Sequence, residues 1–281
     1  MESTDSLPIE DTFADIISKA QAGYHISLTE LSERSGILTQ RIQTLKSGVL
    51  DEDALVAVAP HLHLNTSSLL KLAANQYAPD APSPCAVKRF TTPFTMANGE
   101  GLIVNAYVYF DGHSKDAIVI DTGTDAEEML AFIRSEGLNV RGILLTHTHL
   151  DHISVLQRLR ELDTHPKVCV SAQEPVEGAE LFTPEATLRL GSLGVLVRET
   201  SGHTAGGSSF ILEEGRAAPV AFVGDALFAG SVGGAPGRMA GALQRIRKHI
   251  LSLPAETLVC PGHGPLTTVG YERMHNPFLA G

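Results

Sequence analysis

The chain has 281 residues, 43% of them hydrophobic, and its 21 Lys and Arg against 32 Asp and Glu leave a formal charge of −11. No apolar run approaches the roughly 18–20 residues of a membrane-spanning helix, so no membrane role is expected. The acidic opening MESTDSLPIEDT has no apolar stretch behind a basic one, which predicts a cytoplasmic protein. Three cysteines without a CxxC pair, Cys85, Cys169 and Cys260, fit a reducing compartment and leave any metal to histidine and carboxylate.

Composition divides the chain near residue 80. Residues 1–80 carry 3 of the 26 glycines, 5 basic and 11 acidic side chains, a net −6, while the remainder carries −5. A helical domain over 1–75, a proline-rich linker over 76–86 and a strand-rich domain over 87–281 are expected. Apolar pairs at helical spacing (Phe13 with Ile16 and Ile17, Leu28 with Leu31, Ile42 with Leu45, Leu55 with Val58, Leu69 and Leu70) predict about five short helices. Ser27 or Thr29 can cap the second and Thr39 the third, with Gly36 and Gly48 at chain reversals. The stretch 26–73 resembles helix-turn-helix domains of phage-repressor-like regulators. That resemblance places a recognition helix at 38–46 displaying Gln40, Arg41, Gln43, Thr44 and Lys46. DNA affinity rests on Lys and Arg neutralising phosphates, so the net −6 argues against DNA as a partner and for a scaffold, substrate-shaping or homo-oligomerising role.

After the linker, VKRFTTPF (87–94), IVNAYVYF (103–110) and AIVID (117–121) read as strands. DAEEMLAFIRSEG (125–137) is a helix marked by acids in its first turn and Gly137 at its end. GILLT (142–146) is a buried strand and HISVLQRLRELD (152–163) a helix. VCVS (168–171), VLVRET (195–200), SSFIL (208–212) and VAFVG (220–224) are strands. GRMAGALQRIRKHILSL (237–253) is the last long helix and TLVCPG (257–262) the last strand. This order suggests two sheets between helical layers. No GxGxxG or GxxxxGK motif follows a strand, so nucleotide binding has no support.

Three of the 12 histidines fall in THTHLDH (146–152), directly after a buried strand. In extended chain alternate side chains share a side, so His147, His149 and Asp151 are expected to converge while Thr148 and Leu150 turn away. His152 opens the next helix. SGHTAGG (201–207), FVGDALF (222–228) and CPGHGP (260–265) each set a His or Asp after a predicted strand, beside glycines that let backbone pass a crowded centre. His61, His63, His113, His165, His249 and His275 lie in helical, turn or surface-like contexts, and Cys260 reads as a buried strand residue.

Together HTHLDH, GHTAGG, GDALF and PGHG resemble the metallo-β-lactamase superfamily over 87–281. The resemblance implies an α+β fold, a four-layer αββα sandwich with metals at one edge between the sheets. It assigns His147, His149 and His203 to one ion, Asp151, His152 and His263 to a second, and Asp225 as the bridge. Asp121, in the IDTG turn, becomes the acceptor that steadies a ligand or the attacking water. Two divalent ions are implied, with Zn²⁺ first and Fe²⁺ or Mn²⁺ also suited to such ligands. A water shared by two ions ionises near pH 7, so it can attack a carbonyl, and Asp151 is placed to take a proton.

Asp225 stands where a thiolate would serve in secreted β-lactamases, and the ending PGHGPLTTVGYERMHNPFL resembles short bacterial glyoxalase II-like hydrolases. Only 18 residues follow His263, too few for the helical domain that binds glutathione in the full-length members. Gly234 stands where a basic residue follows GDxLF, so Arg238 or a residue of the N-terminal part must meet any substrate carboxylate. The expected activity is binuclear hydrolysis of a small thioester or ester. A one-iron persulfide dioxygenase and a ligand-responsive regulator with a DNA-binding N-terminal part are the alternatives.

Overall fold

The computed structural model describes residues 7–79, 81, 86–97, 99, 101–213 and 218–281. Cys85 and residues 80 and 82–85 of the expected linker lie outside them. Five short helices come first: α1 (Phe13–Gly23), α2 (Leu28–Ser35), α3 (Thr39–Lys46), α4 (Glu52–Val58), a 3-10 turn (Ala59–Leu62) and α5 (Thr66–Ala73). Ser27, not Thr29, caps α2, and Gly36 ends it in the left-handed region. Thr39 is not a cap: Leu38 holds that position without a side-chain bond, and Thr39 is the first helical residue.

Two six-stranded sheets follow. The first runs β1 (Val87–Thr95), β2 (Gly101–Phe110), β3 (Asp116–Ile120), β4 (Asn139–Leu144), β5 (Lys167–Ser171) and β6 (Glu180–Phe182) in spatial order, antiparallel up to β3 and parallel thereafter. The helix α6 (Glu127–Glu136) connects β3 to β4. The predicted helix 152–163 is instead two pieces, α7 (Leu150–Ile153) and α8 (Leu156–Arg160). The break has a cause: the His152 carbonyl accepts the Thr122 N–H at 2.7 Å and is withdrawn from the helical ladder.

The second sheet comprises β7 (Thr187–Leu190), β8 (Leu193–Glu199), β9 (Ser208–Leu212) and β10 (Val220–Gly224). After the small hairpin β11 (Leu227–Phe228) and β12 (Ser231–Val232) and the helix α9 (Met239–His249), it is completed by β13 (Leu258–Pro261) and β14 (Thr267–Thr268), ordered β14-β13-β10-β9-β8-β7. The last element is α10 (Val269–His275). The short strands β6, β7, β11, β12 and β14, and the helix α10, had no sequence prediction.

Strand alternation explains the layers. Tyr107, Tyr109, Ile118, Ile120 and Leu144 face Phe210, Leu212, Phe222, Leu258 and Cys260 between the sheets. Their neighbours Ala106, Val108, Ala117, Val119 and Ile143 turn outward onto α6 and α8, including Met129, Ile133 and Leu159. The outer face of the second sheet, with Ile211, Ala221, Val223 and Val259, packs on α9 and on the N-terminal helices in one continuous core. The fold is therefore the expected sandwich, with helices 13–73 sharing its fourth layer. Tyr77 and Thr267 both donate to the fully buried Glu272, which ties the end of the helical segment to α10.

α1 and α9 meet closely at Gly23, where an added Cβ would lie 2.6 Å from Met239 Cβ. Gly23→Ala should therefore force the helices apart and lower stability by about 1–3 kcal/mol, read as a lower urea midpoint with unchanged slope.

Candidate metal centre

The parallel pairs decide where chemistry can sit. β3 and β4 in one sheet, and β10 and β13 in the other, each end at the same edge. Asp121 follows β3, His147 and His149 follow β4, Asp225 follows β10 and His263 follows β13, while His203 comes from the β8–β9 loop. The two sheets are joined there by the Val104–His263 bridge and by Asn105 N–H donating to Gly262 O at 2.8 Å. All seven residues that the resemblance assigned to metal meet at this edge.

Among the described residues three groups of side chains lie within ligand reach of one another: His147, His149, His203 and Asp225; Asp151, His152 and His263; and Asp121 with His147 and His152. Asp225 stands between the first two. Its Oδ2 lies 3.5 Å from His203 Nε2, 3.5 Å from His263 Nε2 and 3.9 Å from His147 Nε2, and its Oδ1 lies 3.4 Å from His152 Nε2. Asp151 Oδ2 is 3.4 Å from His263 Nε2 and 3.5 Å from His152 Nε2. Gly262 is required at this spot, because a Cβ there would sit 2.2 Å from Asp225 Oδ1.

The far side of four of the five rings fixes the tautomer. His203 Nδ1 and His263 Nδ1 face the carbonyls of Gly234 (3.0 Å) and Ile103 (2.9 Å), which can only accept, so both nitrogens carry hydrogen. His152 Nδ1 likewise donates to Asp121 Oδ2 at 2.8 Å. Thr146 gives its one hydroxyl hydrogen to Asp121 (2.7 Å) and so accepts from His147 Nδ1 at 3.0 Å. Four Nε2 lone pairs thus point inward, while His149 presents Nδ1, 3.0 Å from His203 Nε2. His147 Nε2, His152 Nε2 and Asp225 Oδ1 are buried with no hydrogen-bond partner. Acceptors facing acceptors need cations between them, so this donor set fits divalent metal ions.

Protons are the only substitute. Burial opposes charge on His152, yet the carboxylates of Asp225 and Asp121 push it up to about 10. Burial is likewise outweighed at His263, which Asp225 and Asp151 push up to about 11. Burial works against the Asp225 carboxylate too, but the facing His263 and His152 hold it well below its usual range. Burial and the neighbouring His152 push His147 well down.

The alternation argument placed His147 and His149 together correctly, with ring centroids 4.7 Å apart. It failed for Asp151, which lies in α7 and joins the other group, and His152 is the third residue of α7 rather than the start of a long helix. Asp121 holds a ring rather than facing the cavity, with Thr146 N–H donating to its Oδ1 at 2.8 Å. Arg238 is exposed and does not line the cavity above the centre, and His249 is buried beside Glu185, not at the surface.

Several supports were not read from sequence. Glu174 accepts from Thr148 N–H (3.2 Å) and Gly206 N–H (2.8 Å), clamping the loops of His149 and His203. Asn105 donates to Pro261 O (3.0 Å) and Gly264 O (2.9 Å), and Tyr107 donates to Pro261 O (2.6 Å), fixing the His263 loop. These residues lie far from the motifs in the chain, and nothing in their local sequence marks them.

A β-sandwich flanked by helices, with imidazole and carboxylate groups crowded at its strand ends, defines a metalloenzyme-like centre. Residues 99–263 match the metallo-beta-lactamase superfamily model, and the chain belongs to that superfamily. It is 30% identical over 191 residues to the hydroxyacylglutathione hydrolase GloC of Haemophilus influenzae, a match covering 59% of this chain and 88% of that protein. The BLEG-1 B3 metallo-beta-lactamase structure is 31% identical with a TM-score of 0.58, covering 69% of this chain and all of that one. The ETHE1 structure from Myxococcus xanthus is 26% identical with a TM-score of 0.57, covering 68% and 85%. No helix among the described residues is long and apolar enough to cross a membrane.

Two outcomes follow from the geometry. Glu174→Ala should weaken metal affinity about 10–100-fold by freeing two ligand loops, measured by competition with a chromophoric chelator. In chelator-stripped protein the raised values of His152 and His263 contribute stability fully below about 6.5, their ordinary value, and lose it as pH rises through about 10 and 11. Its melting temperature should therefore fall from pH 6.5 towards 10, while metal-loaded protein gains on the stripped form over the same span.

Proposed function

We propose that this protein is a binuclear metallohydrolase that cleaves a small thioester or ester. The supporting observation is the pair of acceptor clusters that share one buried carboxylate, Asp225, at the floor of a cavity of about 850 Å³. In this reading His147, His149 and His203 would hold one ion, Asp151, His152 and His263 the other, and Asp225 would serve both. Zinc suits the set first, with iron or manganese next.

Two bound cations would ionise a shared water near neutral pH and polarise the scissile carbonyl. The chain's own residues prepare that chemistry. Asp121 and Thr146 orient His152 and His147, the Gly234 and Ile103 carbonyls orient His203 and His263, and the four inward Nε2 lone pairs are thereby turned to the centre. Asp151 belongs to the second cluster and also lines the cavity, so its carboxylate is the group placed to accept the proton released by attack. The likeness to GloC supports a hydrolase of acyl thioesters.

A one-iron dioxygenase is the competing reading, and it would leave Asp151, His152 and His263 without a purpose. DNA binding gains no support from α3, since Arg41 pairs with Asp51 at 2.7 Å and Lys46 donates to Gln21 at 2.6 Å.

Purified protein should carry close to two metal equivalents and hydrolyse a member of a thioester, ester and lactone panel. Asp225→Ala should lose at least one equivalent and about 10²–10³-fold or more in kcat/KM, the scale seen when one electrostatic stabiliser is removed from an active site. One iron per chain with oxygen uptake on a persulfide, or Asp225→Ala with full occupancy and turnover, would reject the proposal.

A further inference from the structure

The cavity over the centre is built from two sources. One wall belongs to the sandwich, with Phe94, Leu102, Ile103 and Phe228. The other is Leu7–Lys19, the arm before α1 and the first turns of α1, which lies outside the superfamily match. The arm is anchored rather than draped. Asp11, 6% exposed, accepts from Ser231 Oγ (2.5 Å) and from Lys19 Nζ (2.5 Å), and Lys19 also donates to Val232 O at 3.2 Å. The backbone of Glu10 passes close enough to Gly264, next to His263, that a Cβ on Gly264 would lie 3.3 Å from Glu10 N.

What the arm offers a substrate is apolar surface and negative charge. Leu7 and Ile9 line the cavity along with the sandwich's apolar wall, Ile9 also packing on the core of the N-terminal helices, and Glu10, Asp11 and Asp15 line it too. Among the described lining residues Lys19 is the one lysine or arginine, and its ammonium is committed to Asp11 and Val232 while lying 5.0 Å from the Phe228 ring centroid. A substrate carboxylate would have to displace that ion pair and face Glu10 and Asp15. An uncharged acyl chain would bury apolar surface without either cost.

Building on the hydrolase reading, we infer that the arm Leu7–Lys19 is the specificity wall of this site and selects an uncharged, apolar acyl group over an anionic one. Asp11 is its positioning residue, and Ile9, Glu10 and Asp15 do the discriminating.

The test uses the metal-loaded full chain and two thioesters of one neutral thiol, butyryl and succinyl, which match in length and differ by a terminal carboxylate. Wild type should favour butyryl at least tenfold in kcat/KM. The double variant Glu10→Gln with Asp15→Asn should cut that ratio at least fivefold through the KM for the succinyl ester. In parallel, the neutral fluorophore N-phenyl-1-naphthylamine should bind wild type at least tenfold more tightly than its sulfonated analogue, and the same double variant should cut that preference at least fivefold. If neither thioester turns over but the fluorophore behaves this way, hydrolysis fails and the wall stands. An equal or reversed thioester ratio, or a fluorophore preference indifferent to the loss of both carboxylates, overturns the inference.

Discussion

One buried carboxylate sets the terms for the whole edge of the sandwich. Asp225 is 8% exposed and has imidazole nitrogens of His152, His203 and His263 within 3.4–3.5 Å. Such a charge is costly to bury unless it is compensated, and its surroundings consist of rings whose other nitrogens are already committed. Each commitment draws in another part of the fold. The His152 ring holds Asp121 at the end of β3, the His263 ring holds Ile103 in β2, and the His203 ring holds Gly234 beyond the β11–β12 hairpin. The centre is thus a point where both sheets and three loops are tied, and a side chain far from it, such as Glu174, can matter by keeping two loops in register.

The same logic places the N-terminal helices. The outer face of the second sheet is apolar at Ile211, Ala221, Val223 and Val259, and α9 alone is eleven residues long. The five short helices complete the cover, with Ile16, Ile17, Leu31, Ile42, Leu45 and Leu69 fully buried. Isolated helices of seven to eleven residues are marginal in water, so their order derives from this packing. Docking by that face fixes where the preceding residues must run, and it carries Leu7–Asp11 across the mouth of the cavity.

How much of this was legible in sequence depends on whether the cause is local. His147 and His149 were readable because they follow a buried strand at alternate positions, and His203, Asp225 and His263 because each comes after a predicted strand with glycine beside it; strand ends at one edge bring such positions together. That there are two sheets was readable from the succession of strands and helices along the chain. The break after His152 was not, because its cause is a hydrogen bond from Thr122, thirty residues earlier in the chain. Asp151 was misplaced for a related reason: a period-2 argument holds only while the chain is extended, and α7 begins at Leu150. Glu174, Asn105 and Tyr107 act through contacts across the fold and carry no motif.

Charge shows why position matters more than total. The helical part's −6 weighed against phosphate binding when it was a number for a segment, yet it does not spread evenly over the folded surface. Arg41 is neutralised by Asp51 on the exposed helix face, while Glu10, Asp11 and Asp15 gather at the cavity with one lysine between them. Inside a cleft walled by low-dielectric side chains, charges act on what enters more strongly than the same charges in open water. Part of the acidity that makes the N-terminal part a poor match for a polyanion therefore stands at the wall of the cavity. There it opposes the inward pull that two cations would exert on an anionic ligand.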